Sequence, residues 1–123
     1  AQRQNGVMIS NGTGPAPAYA LYMLQERGRL LVGDGDEVYE GQLVGIHAKD
    51  NDLTVNALRA KQLTNMRAAG KDDGIQLTPP IRMSLEQALD FIDDDELVEV
   101  TPKSIRLRKK YLTENDRKRA SRG

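Results

Sequence analysis

Apolar residues come in short runs divided by turn formers throughout this chain, and that pattern limits the available folds more than any single motif. The longest apolar run extends only from Ala18 to Leu24, well short of the roughly 18 residues that span a bilayer as a helix. Residues 1–10 lack the charged start and apolar stretch of a targeting signal, although a chain opening on Ala1 rather than Met leaves an upstream segment open. A length of 123 residues suits one domain with one modest core. That core must be aliphatic, because aromatic residues are 4% of the chain and Trp is absent. The lack of cysteine removes disulfides, thiolate zinc ligands and thiol nucleophiles, and fits a reducing compartment, the cytoplasm being the simplest.

Gly6 to Ser10 reads as a strand closed by Asn11-Gly12. From Pro17 to Arg27 the apolar run is too long for strand alternation, and Gly28 stands where a C-cap glycine would, so a helix is expected. Leu30–Val32, Gln42–His47 and Leu53–Val55 read as strands, separated by turns at Gly33-Asp34-Gly35 and Asp50-Asn51-Asp52. Between Ala57 and Gly74 neither strand nor helix periodicity survives, which marks a long loop. Ile75–Thr78 is a further strand candidate, stopped by Pro79-Pro80. Ser84 and Gln87 have the spacing of a capping box, and Leu85, Ala88, Leu89 and Ile92 follow at helical spacing. Leu97–Val100, the Thr101-Pro102-Lys103-Ser104 turn and Ser104–Lys109 read as a hairpin, whose second strand alternates Ile105 and Leu107 with Arg106, Arg108 and Lys110. Thr113, with Asp116 three residues on, offers a weaker cap for a polar terminal helix. The expected architecture is α+β: a small twisted or barrel-like, mostly antiparallel β structure with two or three helices and one long exposed basic loop.

Basic and acidic residues number 18 each and cancel, so position matters more than total. Asp90, Asp93, Asp94, Asp95, Glu96 and Glu99 crowd residues 90–99 with no base among them, whereas Arg59, Lys61, Arg67 and Lys71 occupy residues 59–71 with no acid. Three aspartates after a helix oppose its dipole and require a cation; Arg106 and Arg108 on the partner strand are the expected source. Adjacent acids rarely point together, and no further ligand set has the spacing of a known metal loop, so no metal is expected. Gly12-Thr13-Gly14 lacks the Lys-Ser/Thr of a phosphate loop and the full G-x-G-x-x-G spacing, and reads as a turn. His47, the single histidine, has no nucleophile-elbow pattern near it, which leaves it as a partly exposed strand-end cap or an RNA contact. From Arg59 to Lys71 the cations are spaced by small residues, and Thr64 and Asn65 add donors and acceptors suited to phosphate, sugar or base edges. Charge and periodicity leave this segment equally open as an RNA-binding loop and as a solvated, disordered one. With so few aromatics, backbone and shape contacts rather than base stacking would dominate any RNA complex.

Gln4-Asn5-Gly6-Val7, Leu24 to Gly28 (LQERG), Glu37 to Gly45 (EVYEGQLVG), Leu63 to Ala68 (LTNMRA), Pro79 to Met83 (PPIRM) and Leu85 to Thr101 (LEQALDFIDDDELVEVT) closely resemble the C-terminal part of the BipA/TypA family of translational GTPases. The likeness continues through Leu112 to Arg117 (LTENDR) and runs over nearly the whole chain. The resemblance implies that residues 1–123 form a single C-terminal domain with no catalytic residue and no cofactor of its own, GTP and Mg belonging to the GTPase domain of the parent protein. It further implies a cytoplasmic, monomeric ribosome binder, without a membrane partner, whose extended loop touches large-subunit rRNA and the acceptor end of A-site tRNA. The parent is then expected to act in translation, ribosome assembly and stress adaptation. By position the loop is Ala57 to Ile75, with His47 and Asn56 at its base. The expected RNA-binding residues are thus His47, Asn56, Arg59, Lys61, Thr64, Asn65, Arg67 and Lys71, with Arg106, Arg108, Lys109 and Lys110 as a second basic surface. Gly14-Pro15-Ala16-Pro17 departs from the Gly-Lys-Ala type of sequence expected of the family, which removes a cation from that turn. The competing reading is a protein-interaction module that recruits a basic ribosomal protein through the acidic segment.

Overall fold

The computed structural model describes residues 5–58 and 76–121. Its elements in chain order are β1 (Val7–Ser10), β2 (Gly14–Pro15), α1 (Ala18–Gln25), β3 (Gly28–Leu30), β4 (Glu37–Val38), β5 (Leu43–His47), β6 (Leu53–Val55), α2 (Leu85–Phe91), β7 (Glu96–Val100), β8 (Ile105–Lys109) and α3 (Glu114–Ser121). The expected α+β class is correct, with three helices among the described residues. The sheets stay open, however. The main one has four strands in the order β3-β5-β1-β6, and β2-β4 and β7-β8 form separate two-stranded ladders, so the barrel alternative falls. Pairing is antiparallel except between β1 and β6. No helix among the described residues is long and apolar enough to cross a membrane.

Strand β1 explains why the core has two layers. Every residue of its Val-Met-Ile-Ser sequence is buried, as a central strand covered on both faces requires. Successive side chains point to opposite faces. Met8 therefore joins Leu21, Leu24, Val44 and Val55 on one side of the sheet, while Val7 and Ile9 join Leu43, Ala88 and Leu107 on the other. The β1–β5 register shifts between Met8 and Ile9, which pair with Gly45 and Leu43. This bulge leaves Val44 unopposed and puts Leu43 and Ile46 on the same side as Val7 and Ile9. Helix α1 buries Ala20, Leu21 and Leu24, and its two leucines belong to the first layer.

Gly28 is needed for a different reason from the one its sequence position suggests. The α1 C-cap is Glu26 in a right-handed conformation, and Gly28 already belongs to β3. A Cβ on Gly28 would collide with the carbonyl oxygen of Ile46 on the neighbouring strand β5. The strand expected over Ile75–Thr78 is absent from residues 76–80, which form no regular element. The Gln25 side chain takes the place of a strand partner there: its Nε2 donates to the Gln76 carbonyl at 2.8 Å, and its Oε1 accepts from the Thr78 N–H at 2.8 Å. The chain then crosses β3, where the Ile81 N–H donates to the Leu30 carbonyl at 2.9 Å.

The capping box forms as its spacing predicts. The Gln87 N–H donates to Ser84 Oγ at 3.2 Å, and the Ser84 N–H donates to Gln87 Oε1 at 2.9 Å. The apolar stripe that follows is only partly buried, since Ala88 is enclosed while Leu85 and Leu89 are 43% and 55% exposed. The β7–β8 hairpin has the predicted register, with Val100 opposite Ile105 and Glu96 opposite Lys109. A bridge between Gln42 and Arg108, and the Lys109 N–H donating to the Gly41 carbonyl at 2.8 Å, join this hairpin to the turn before β5. Gly41 sits at φ +95°, and a Cβ there would lie 2.7 Å from the Cα of Leu112.

Candidate nucleic-acid interface

Strand β8 sorts its cations by parity. Ile105, Leu107 and Lys109 point towards the second core layer; Arg106 and Arg108 alternate with them, and Lys110 follows just past the end of the strand. Arg106 and Arg108 are half-buried and Lys110 is exposed. None of the three takes part in an ion pair among the described residues. Two of them lie over aromatic rings: the Arg106 guanidinium carbon is 6.0 Å from the Tyr39 ring centre, and the Lys110 ammonium 5.8 Å from that of Tyr111. Glu99, opposite Arg106 in the ladder, accepts a 2.7 Å hydrogen bond from the Tyr39 hydroxyl. Partial burial and the hydrogen bond and negative charge of Glu99 push the Tyr39 phenol well above its ordinary range. It stays a donor to Glu99 across the physiological range.

Lys109 corrects two expectations. It was grouped with the second basic surface, yet its side chain is only 2% exposed. Its Nζ lies 2.7 Å from Asp52 Oδ2, 2.9 Å from Asp95 Oδ2 and 2.8 Å from Glu96 Oε2. Burial alone would lower its pKa, but hydrogen bonds to Asp52, Glu96 and Asp95 outweigh it and raise the ammonium above its ordinary 10.5. The cation that answers the acids after α2 is therefore Lys109, and not Arg106 or Arg108. Carboxylate oxygens of Asp52, Asp95 and Glu96 lie within 4.8 Å of one another, a donor set of the kind that can hold a divalent cation. Here that set is ion-paired to the Lys109 ammonium. Asp52 sits 43 positions before Asp95, and no local pattern links the two.

His47 and Asn56 are placed by the sheet. His47 ends β5 opposite Gly28 and is buried, rather than partly exposed as a strand-end cap was expected to be. Its Nδ1 lies 2.6 Å from the Asn51 carbonyl oxygen, a contact that requires the proton on Nδ1. Asn56 is exposed, and its Oδ1 accepts from the Leu58 N–H at 2.9 Å, an Asx turn immediately before position 59. The expected loop residues Arg59, Lys61, Thr64, Asn65, Arg67 and Lys71 lie outside the described residues.

Beside Arg106 a cleft of about 610 Å³ opens between the Pro102–Ser104 turn and Ile81–Met83. Leu31, Ile81 and Leu107 contribute to its lining, as do Arg82, Lys103 and Arg106. Arg82 is already engaged, since its Nη1 lies 2.8 Å from Asp36 Oδ2. Burial raises the Asp36 carboxyl, but the Gly33 N–H and the Arg82 and Arg106 guanidinium groups more than reverse this and hold it below its ordinary 3.8. Sequence reading missed this pair, which joins positions 46 residues apart.

A family model described as the TypA/BipA C-terminal domain matches residues 5–114. The chain belongs to this family. The TypA/BipA match spans β8, the carboxylates around Lys109 and the whole of residues 59–75. The Large ribosomal subunit assembly factor BipA of Salmonella typhimurium is 70% identical over 122 residues, which is 99% of this chain and 20% of that relative. The proteins of the same name from Escherichia coli K12 and Buchnera aphidicola are 69% and 64% identical over 121 residues. The chain thus spans about a fifth of the length of the curated relatives it matches.

Proposed function

We propose that this chain is the ribosome-binding C-terminal domain of a TypA/BipA-type translational GTPase, and that it contacts large-subunit rRNA and the acceptor end of A-site tRNA. The parent protein would hydrolyse GTP with Mg in another domain and act in ribosome assembly, translation and stress adaptation in the cytoplasm. The observation that carries the RNA reading is the state of the β8 cations. Lys109 is neutralised three times over inside the fold, whereas Arg106, Arg108 and Lys110 have no ion pair among the described residues and so remain available to phosphates. The relatives' name, large ribosomal subunit assembly factor, supports the same target. Arg59, Lys61, Arg67 and Lys71 would add phosphate contacts, and Thr64 and Asn65 would position the RNA backbone. Asn56 would contribute at the base of the loop. Buried His47 would act there through the turn it braces.

Binding to purified large ribosomal subunits, followed by co-sedimentation at several salt concentrations, tests this reading. With about four phosphate contacts, the logarithm of the affinity should fall with the logarithm of salt at a slope near −3. Arg67→Glu with Lys71→Glu, and separately Arg106→Glu with Arg108→Glu, should each weaken binding. Salt-independent binding would exclude the electrostatic RNA interface, and affinity unchanged in both pairs would favour recruitment through the acidic segment. GTP turnover by the chain alone would overturn the assignment of hydrolysis to the rest of the parent.

A further inference from the structure

Helix α2 presents an apolar edge that the core leaves uncovered. At about 100° per residue, Ala88 and Phe91 point to one side, Leu85 and Leu89 to the next sector, and Glu86 and Asp90 to the sector beyond. Ala88 is fully enclosed and Phe91 half-buried, yet Leu85 and Leu89 remain 43% and 55% exposed one turn apart. Glu86, Asp90 and Asp94 are exposed, and none of them is in an ion pair among the described residues. Asp95 and Glu96, the next acids in the chain, are held by Lys109. The result is a pair of half-exposed leucines with an acidic rim, on a helix whose adjoining Ala88 and Phe91 side is anchored in the second core layer.

We propose that this face docks a protein segment carrying an apolar ridge flanked by lysines or arginines. Charge complementarity selects the occupant: the carboxylates repel RNA phosphates and anionic lipid headgroups, while the leucines gain from covering only by apolar side chains. A basic amphipathic segment supplies both. The inference goes beyond the RNA interface and does not depend on it, because it uses none of the β8 cations.

A titration of the isotopically labelled full chain, followed by amide NMR, tests it with two probes. One is a leucine-lysine peptide in helical amphipathic order, and the other a single-stranded oligouridine. Peptide should shift the amides of residues 85–92, while oligouridine should leave them unmoved. A peptide of the same composition in scrambled order should bind about tenfold more weakly or worse. Leu85→Ser with Leu89→Ser, and separately Glu86→Lys with Asp90→Lys, should each weaken the amphipathic peptide by a similar factor. Because these side chains are exposed, the variants' remaining amide spectrum reports directly that they fold. Peptide shifts confined to other elements, equal binding of the scrambled peptide, or binding unaffected by both variants would overturn the proposal. So would concentration-dependent shifts at residues 85–92 without peptide, which would make the occupant a second copy of this chain. Failure of oligouridine to bind anywhere would count against the RNA reading alone.

Discussion

At Lys109 one ammonium holds Asp52 from the β5–β6 turn, Asp95 from the turn before β7, and Glu96 at the start of β7. Removing it takes away the ammonium paired with Glu96, whose side chain is fully buried. Lys109→Met should therefore cost about 3–5 kcal/mol, read as a lower urea midpoint, whereas Lys110→Met at the exposed neighbour should stay within about 0.5 kcal/mol. Adding Glu96→Gln to Lys109→Met should recover part of the loss, because the two residues are coupled. The pH dependence follows from the same geometry. Lys109 and Tyr39 both have pKa values raised by folding, from ordinary values of 10.5 and 10.0. Their stabilisation is complete below those ordinary values and disappears as pH rises through the folded ones. Stability should therefore begin to fall above about pH 10, and in Lys109→Met that alkaline decline should be shallower. A wild-type stability that stays flat well into that range would contradict the ion-paired site. On the acid side Asp36, lowered below 3.8, stabilises above that value and ceases to do so as pH falls through its folded pKa. Its partial exposure makes this a small effect.

Helix α2 has only seven residues and buries only Ala88 outright, so its first turn depends on the cap. Ser84→Ala should cost about 1 kcal/mol, and exchange of the helix amides should accelerate before global unfolding sets in. The joint between hairpin and sheet is more sensitive: Gly41→Ala meets both the positive φ and the backbone of Leu112, and should cost more than the cap does. These contrasts also show which information was present in the sequence. The capping box, the hairpin register and the α1 span are local, set by residues within a few positions of each other, and each was read nearly as found. Gly28 was assigned to a helix cap because its true neighbour, the Ile46 carbonyl, lies across a strand pairing. Lys109 was placed outside although its parity with Ile105 and Leu107 pointed inward, since a lysine on a core face makes sense only once Asp52 is beside it. The Leu85/Leu89 edge was legible as one side of a helix, but periodicity gives the direction of a side chain and not whether anything waits there. Of the candidate site, the alternation of Arg106, Arg108 and Lys110 was legible; the phenol of Tyr39 holding Glu99 was not, because it bridges 60 positions.

Over the whole molecule the 18 cations and 18 anions cancel, so net charge cannot draw the domain to RNA. The proposed attraction would come from segregation, with Arg106, Arg108 and Lys110 on one side and Glu86 and Asp90 of α2 on the other in no ion pair among the described residues. Screening limits each group of charges to its own surroundings, because the Debye length is about 8 Å at physiological ionic strength. The two faces should then be separable by mutation. Arg106→Glu with Arg108→Glu removes two phosphate contacts, so the salt slope for large-subunit binding should become shallower by about 1.4–1.8, and thermal stability should fall as well, because Arg106 lies over Tyr39, lowers Asp36 and stands opposite Glu99. Glu86→Lys with Asp90→Lys reverses the opposite face and should leave that slope unchanged, while abolishing preference for a basic amphipathic peptide. If the α2 reversal instead steepened the salt slope as much as the β8 reversal flattened it, the ribosome would be sensing the summed charge of the domain. The division into one RNA-facing and one protein-facing surface would then be wrong.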